Sequence, residues 1–98
     1  MVHINEELKA AKAAKAAIDA VLTPTTKGIS ATLKNANHAA ILNLGSGGAL
    51  NEARGMVGIA LSNLLHGLPT EEKMNKAKSA IDAWIKELER SSVIRPTK

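Results

Sequence analysis

A chain of 98 residues with 45% apolar and 22% charged residues fits one domain rather than two and has a globular rather than a disordered balance. Its formal net charge of +4 admits anionic partners without requiring one, and the absence of cysteine excludes disulfides, thiolate metal sites and cysteine nucleophiles. Trp84 is the only aromatic residue, so the core must be built from aliphatic side chains and many alanines, and a core that thin favours completion by homo-oligomerisation.

Three breaks divide the chain, at Thr23-Pro24-Thr25-Thr26, Gly45-Ser46-Gly47-Gly48 and Gly67-Leu68-Pro69-Thr70. The first predicted helix covers 5–22. Leu8, Ala11, Ala14, Ile18 and Leu22 share one face at helical spacing, Asn5 is placed to cap, and Glu6 and Glu7 suit the positive end of the helix dipole. Lys9, Lys12 and Lys15 form a ladder on another face, and Lys15 can pair with Asp19 one turn on. The second predicted helix covers 26–44. Its stripe is Ile29, Leu33, Ala36, Ala40 and Leu44, interrupted by the mediocre helix formers Thr32, Asn35, Asn37 and Asn43.

The third predicted helix covers 49–66. Leu50, Ala53, Val57, Leu61 and Leu64 are spaced for one buried face, and Met56, Ile59, Ala60 and Leu65 widen it almost all round, which predicts a central helix. Asn51, Gly55, Gly58 and Ser62 form a line of small residues. Glycine inside a helix costs about 1 kcal/mol relative to alanine, so Gly55 and Gly58 point to the close approach of another backbone or a ligand. With Ser62 and Trp84 they are the candidate packing and interface residues. The fourth predicted helix covers 70–91. Thr70 caps it, Glu71 and Glu72 occupy the first turn, and Met74, Ala77, Ile81, Trp84, Ile85 and Leu88 form the stripe. Glu72 with Lys76 and Asp82 with Lys86 have the favoured acid-before-base order. Residues 15–22 and 78–85 match at five of eight positions, a hint of an internal repeat.

The expected fold is all-α: a small bundle of about four antiparallel amphipathic helices in one domain, 1–91, followed by a flexible tail, 92–98. The first residues lack the basic-then-apolar pattern of a signal peptide, and no apolar run approaches the roughly 20 residues of a membrane span. The expectation is a cytoplasmic protein without membrane association.

Catalytic chemistry finds little purchase. His3, His38 and His66 lie on different segments, no serine sits in a nucleophile-elbow context, and the acids are explained by first turns and lysine pairs. The expectation is no enzyme, no cofactor and no metal. The Gly-rich turn is the most suggestive local feature, because glycines before a helix let main-chain N–H groups converge on an anion. Ser46, Gly47 and Gly48, with Asn51 and Arg54 one turn in, are candidate ligand residues, and Thr25, Thr26 and Lys27 form a second hydroxyl-and-lysine loop that could join them across a subunit interface. The first functional reading is therefore an oligomeric, non-catalytic protein that captures a small phosphorylated ligand, such as a nucleotide, in a sequestering role. The second is an adaptor or inhibitor that docks an apolar helix face on a partner protein. The third, less expected, is weak nucleic-acid binding through the lysine ladder.

Overall fold

The computed structural model describes residues 4–45 and 47–93. It contains four helices, α1 (Ile4–Ala20), α2 (Ser30–Leu42), α3 (Ala49–Leu65) and α4 (Glu71–Val93), and no strand among the described residues. The helices close a ring: α1 packs on α2, α2 on α3, α3 on α4 and α4 on α1. Across the diagonals, α1 and α3 bring no Cα atoms within 8 Å of each other, nor do α2 and α4. Among the described residues, eight of the seventeen buried apolar side chains are alanines, and Trp84, Ile18, Leu33, Leu61, Leu64, Ile81 and Leu88 fill the space between them.

Local chemistry explains most boundaries. Thr70 caps α4 as expected, its hydroxyl accepting from the Lys73 N–H at 3.1 Å. Helix α1 begins at Ile4, which puts Asn5 inside the first turn rather than at the cap, and it ends at Ala20. Leu22 therefore leaves the expected stripe and is 99% exposed in the connector. Helix α2 begins four residues later than expected. Gly28 adopts φ +84°, which no helix tolerates, and Ile29 precedes the first turn without a side-chain cap. The Thr25 hydroxyl accepts from the Lys27 N–H at 3.0 Å and so serves the connector, not the cap of α2. Helix α4 runs on through Ser92 and Val93, which were expected in the tail, and the rest of the expected tail, 94–98, lies outside the described residues.

Helix α3 is not central. A ring of four helices gives each one two neighbours and an outer surface, so the surplus apolar side of α3 faces outward: Met56 is 61% and Ile59 64% exposed. Leu44 and Ile41, at the end of α2, are also about half exposed.

One polar cluster ties the ring together. Glu7 is fully buried. Its Oε2 accepts from Arg54 Nε at 2.7 Å and from Trp84 Nε1 at 2.7 Å, and its Oε1 accepts from Arg54 Nη2 at 2.8 Å and Asn43 Nδ2 at 3.0 Å. A carboxylate offers about four acceptor positions, and all are filled. The third hydrogen bond of the guanidinium closes the end of α2, where Arg54 Nη1 donates to the Asn43 carbonyl at 2.9 Å. One carboxylate on α1 thus holds α3, α4 and the end of α2, and it spans the diagonal that the backbones do not.

Between α1 and α4 the ion pairs are reciprocal. Lys15 donates to Asp82 at 2.7 Å, and Lys78 pairs with Asp19 at 3.8 Å. These four residues occupy matching positions of the internal repeat, in which the buried Ile18 also corresponds to the buried Ile81. Asp82 therefore pairs across the helices rather than with Lys86. The hydrogen bond to Asp82 raises the Lys15 pKa above its ordinary value, opposed by desolvation. A raised lysine pKa contributes stability that is complete at neutral pH and fades only as pH climbs through the raised value.

Removing one partner from a buried ion pair costs about 3–5 kcal/mol because the other charge is left uncompensated. Glu7→Ala and Arg54→Ala should each destabilise the chain by about that much in urea unfolding, against a total of roughly 5–15 kcal/mol for a domain of this kind. The apolar double replacement Glu7→Leu with Arg54→Met should recover most of the loss. Single variants within about 0.5 kcal/mol of the parent chain would contradict the role given to the cluster.

The candidate face on the third helix

The residues expected to gather round an anion are divided by the fold. Thr25, Thr26 and Lys27 precede α2, whereas Gly47, Gly48, Asn51 and Arg54 follow it, so in one chain the two groups sit at opposite ends of a helix about 20 Å long. Arg54 gives its guanidinium to Glu7 and the Asn43 carbonyl. Asn51 accepts the Gly45 N–H on its Oδ1 at 2.7 Å, bracing the turn from within. Gly47 and Gly48 have φ +37° and +102°, a backbone path that side chains resist, which accounts for both glycines without a ligand. Ser46 lies outside the described residues.

The lysine ladder is largely neutralised. Lys12 pairs with Glu89 at 3.4 Å, and Lys15 with Asp82 and, at 3.5 Å, with Asp19. His38 and His66 are exposed on separate elements, and His3 lies outside the described residues.

The small-residue line separates into distinct roles. Gly58 is buried, and a Cβ there would meet Asn37 Oδ1 and Ile41 Cγ1 at 3.6 Å, an ordinary contact with α2. Gly55 is half-buried and a Cβ there would find nothing within 4 Å inside the chain. Ser62 is exposed, and Trp84 belongs wholly to the chain's own core.

Two grooves flank α3, and Gly55, Gly58 and Ser62 line the second of them. A groove of about 880 Å³ runs between α3 and α4, floored by Ala53, Ala60, Ala80 and Ala83 and walled by Met56 and Ile59. A second, of about 400 Å³, lies on the other side of α3, between Gly55, Ile59, Ile41 and Leu44. Ile59 stands on the ridge between them. The two grooves form one apolar face centred on α3, with Glu71, Glu72 and Lys76 at its α4 margin.

Sequence reasoning placed Met56 and Ile59 in the core and missed Glu7. A signal for Glu7 was present: positions 7, 11, 14 and 18 have the spacing of one face, and Ala11, Ala14 and Ile18 were assigned to the core. The lone indole also needed an acceptor for its N–H.

The open space at Gly55 makes a prediction for the isolated fold. Gly55→Ala should raise stability by about 1 kcal/mol, a gain of about 4–8 °C in Tm for a domain of this size, read by thermal unfolding at low protein concentration. Destabilisation there would contradict the geometry. Comparison of the chain with protein-family models, with curated proteins and with solved structures finds no match.

Proposed function

We propose that this protein is a non-catalytic helical interaction module whose working surface is the apolar face of α3, and that it takes up an amphipathic helix of another protein chain. The observation that carries this reading is the exposure of Met56 and Ile59 at the middle of α3, between two apolar grooves. Each of these side chains stands to gain on the order of 1–2 kcal/mol from burial. A contiguous apolar patch of this kind marks an interaction site more often than a lone exposed leucine does. The α3–α4 groove suits a helix laid along it with one side chain per turn in contact.

The proposed architecture is an up-and-down bundle in which successive helices run antiparallel. Its supports are the short connectors at 21–29, 43–48 and 66–70, and the ion pairs between α1 and α4, whose partners fall from Glu89 to Asp82 to Lys78 as those on α1 rise from Lys12 to Lys15 to Asp19. In this arrangement α3 lies on the rim with a free outer surface. Acid–base chemistry has no support in the buried carboxylate, because every acceptor position of Glu7 is occupied. The phosphate-capture reading keeps the Gly47–Gly48 turn and Lys27, but the cation it relied on, Arg54, is already paired.

Photo-crosslinking in the cells that make the protein tests the reading. A crosslinking amino acid in place of Met56 should capture a protein at one defined mass, whereas the same group in place of the exposed Lys9 should not. Equal capture from both positions, or none from position 56, would contradict it.

A further inference from the structure

We propose that the occupant of the α3 face is α3 of a second copy of this chain, packed antiparallel about a two-fold axis at Ile59. This rests on the docking reading and names its partner. Three observations carry it.

The first is spacing. Glu52, Met56, Ile59, Asn63 and His66 follow one another at intervals of four, three, four and three residues, and all five are exposed. That is the spacing of a helix–helix seam. It continues for about 21 Å at 1.5 Å per residue, from Glu52 in α3 to His66, the residue that caps its end. Ile41 and Leu44 flank it on one side and the α4 residue Ala83 on the other, so the apolar strip is wider than the seam alone.

The second is charge. From Gly55 to Leu65 the helix carries no charged residue, so the middle of the face can meet itself without like-charge repulsion. The ends can hydrogen-bond, a histidine ring N–H to a carboxylate. Glu52 lies seven residues before Ile59 and His66 seven after it, so an antiparallel second copy brings each Glu52 opposite the other copy's His66. A parallel copy would set Glu52 against Glu52.

The third is Gly55, whose outward side is open. In the antiparallel pairing it faces Asn63 of the second copy, and the missing side chain lets the two helices approach closely. Within the single chain this glycine has no such use.

Sedimentation equilibrium of the full chain tests the inference. The expected species is a dimer of twice the 10.3 kDa chain mass, with a dissociation constant in the micromolar range typical of small interfaces. Ile59→Arg and Met56→Lys, at exposed positions, should give monomers with unchanged helical circular dichroism. Gly55→Ala should weaken association about tenfold. Because the chain has no cysteine, a mixture of Met56→Cys and Ser62→Cys chains should form a disulfide-linked heterodimer under mild oxidation in preference to either homodimer. A parent chain that is monomeric at about 100 µM overturns the inference, as does a dimer that survives Ile59→Arg. Preferential self-linking of Met56→Cys overturns the antiparallel arrangement. A monomer whose position 56 still captures a different protein by photo-crosslinking removes the second copy and leaves the docking reading standing.

Discussion

Glu7 is where the fold is decided. Its carboxylate sits beyond the reach of water, and an ion so placed costs several kcal/mol unless its acceptor positions are filled. The donors that fill them come from three other parts of the chain: Asn43 at the end of α2, Arg54 on α3 and Trp84 on α4. Each must arrive at hydrogen-bond distance, so each fixes the height and rotation of its helix. A core in which alanine supplies nearly half the buried residues has little shape of its own to impose register. The polar cluster supplies the specificity that large side chains would supply elsewhere, because misplacing any one helix strands a buried charge.

The same constraint produces the candidate face. With Arg54 pointing at the centre, the rest of α3 follows at about 100° per residue. Met56 then lies about 200° round the helix from Arg54, Ile59 about 140°, Asn63 about 180°, and Glu52 and His66 about 160° and 120°. The whole seam is on the side away from the core. A helix that is apolar almost all round cannot hide both faces in a four-membered ring, and the ion pair selects the face that stays outside. On this account the buried cluster and the exposed seam are two sides of one helix phase. The reciprocal pairing of Lys15 with Asp82 and Lys78 with Asp19 shows the sequence already placing matched, self-complementary segments against each other within one chain.

Much of the fold was legible before the structure. The three Gly and Pro clusters marked the connectors, Thr70 announced its helix, Ala11, Ala14 and Ile18 of the α1 stripe are buried, and so is the α4 stripe from Met74 to Leu88 except the half-buried Ile85, with Ala80 an unexpected addition. What stayed hidden depended on non-local partners. Glu7 in a first turn carries the ordinary meaning of a helix-dipole residue, and only the indole and guanidinium 77 and 47 residues away give it another. Arg54 near a glycine turn has the composition of an anion site, and only the buried carboxylate shows that the anion is internal. The outward side of α3 was misplaced because composition alone reads an apolar helix as central, whereas the number of neighbours around it decides how much of it is covered. Gly47 and Gly48 looked like ligand residues because the same backbone freedom serves an anion nest and a tight turn.

The indole proton of Trp84 gives the most direct view of the central cluster. As the only tryptophan in the chain, it contributes a single Nε1–H resonance in the proton–nitrogen spectrum. If it is buried and bonded to Glu7, that proton should exchange with solvent only through global unfolding, as slowly as the best-protected amides of α4. In Glu7→Gln it should shift markedly and lose that protection. An Nε1–H that exchanges in the parent chain as fast as an exposed indole, or that is unmoved by Glu7→Gln, would contradict the claim that this carboxylate sets the positions of the four helices.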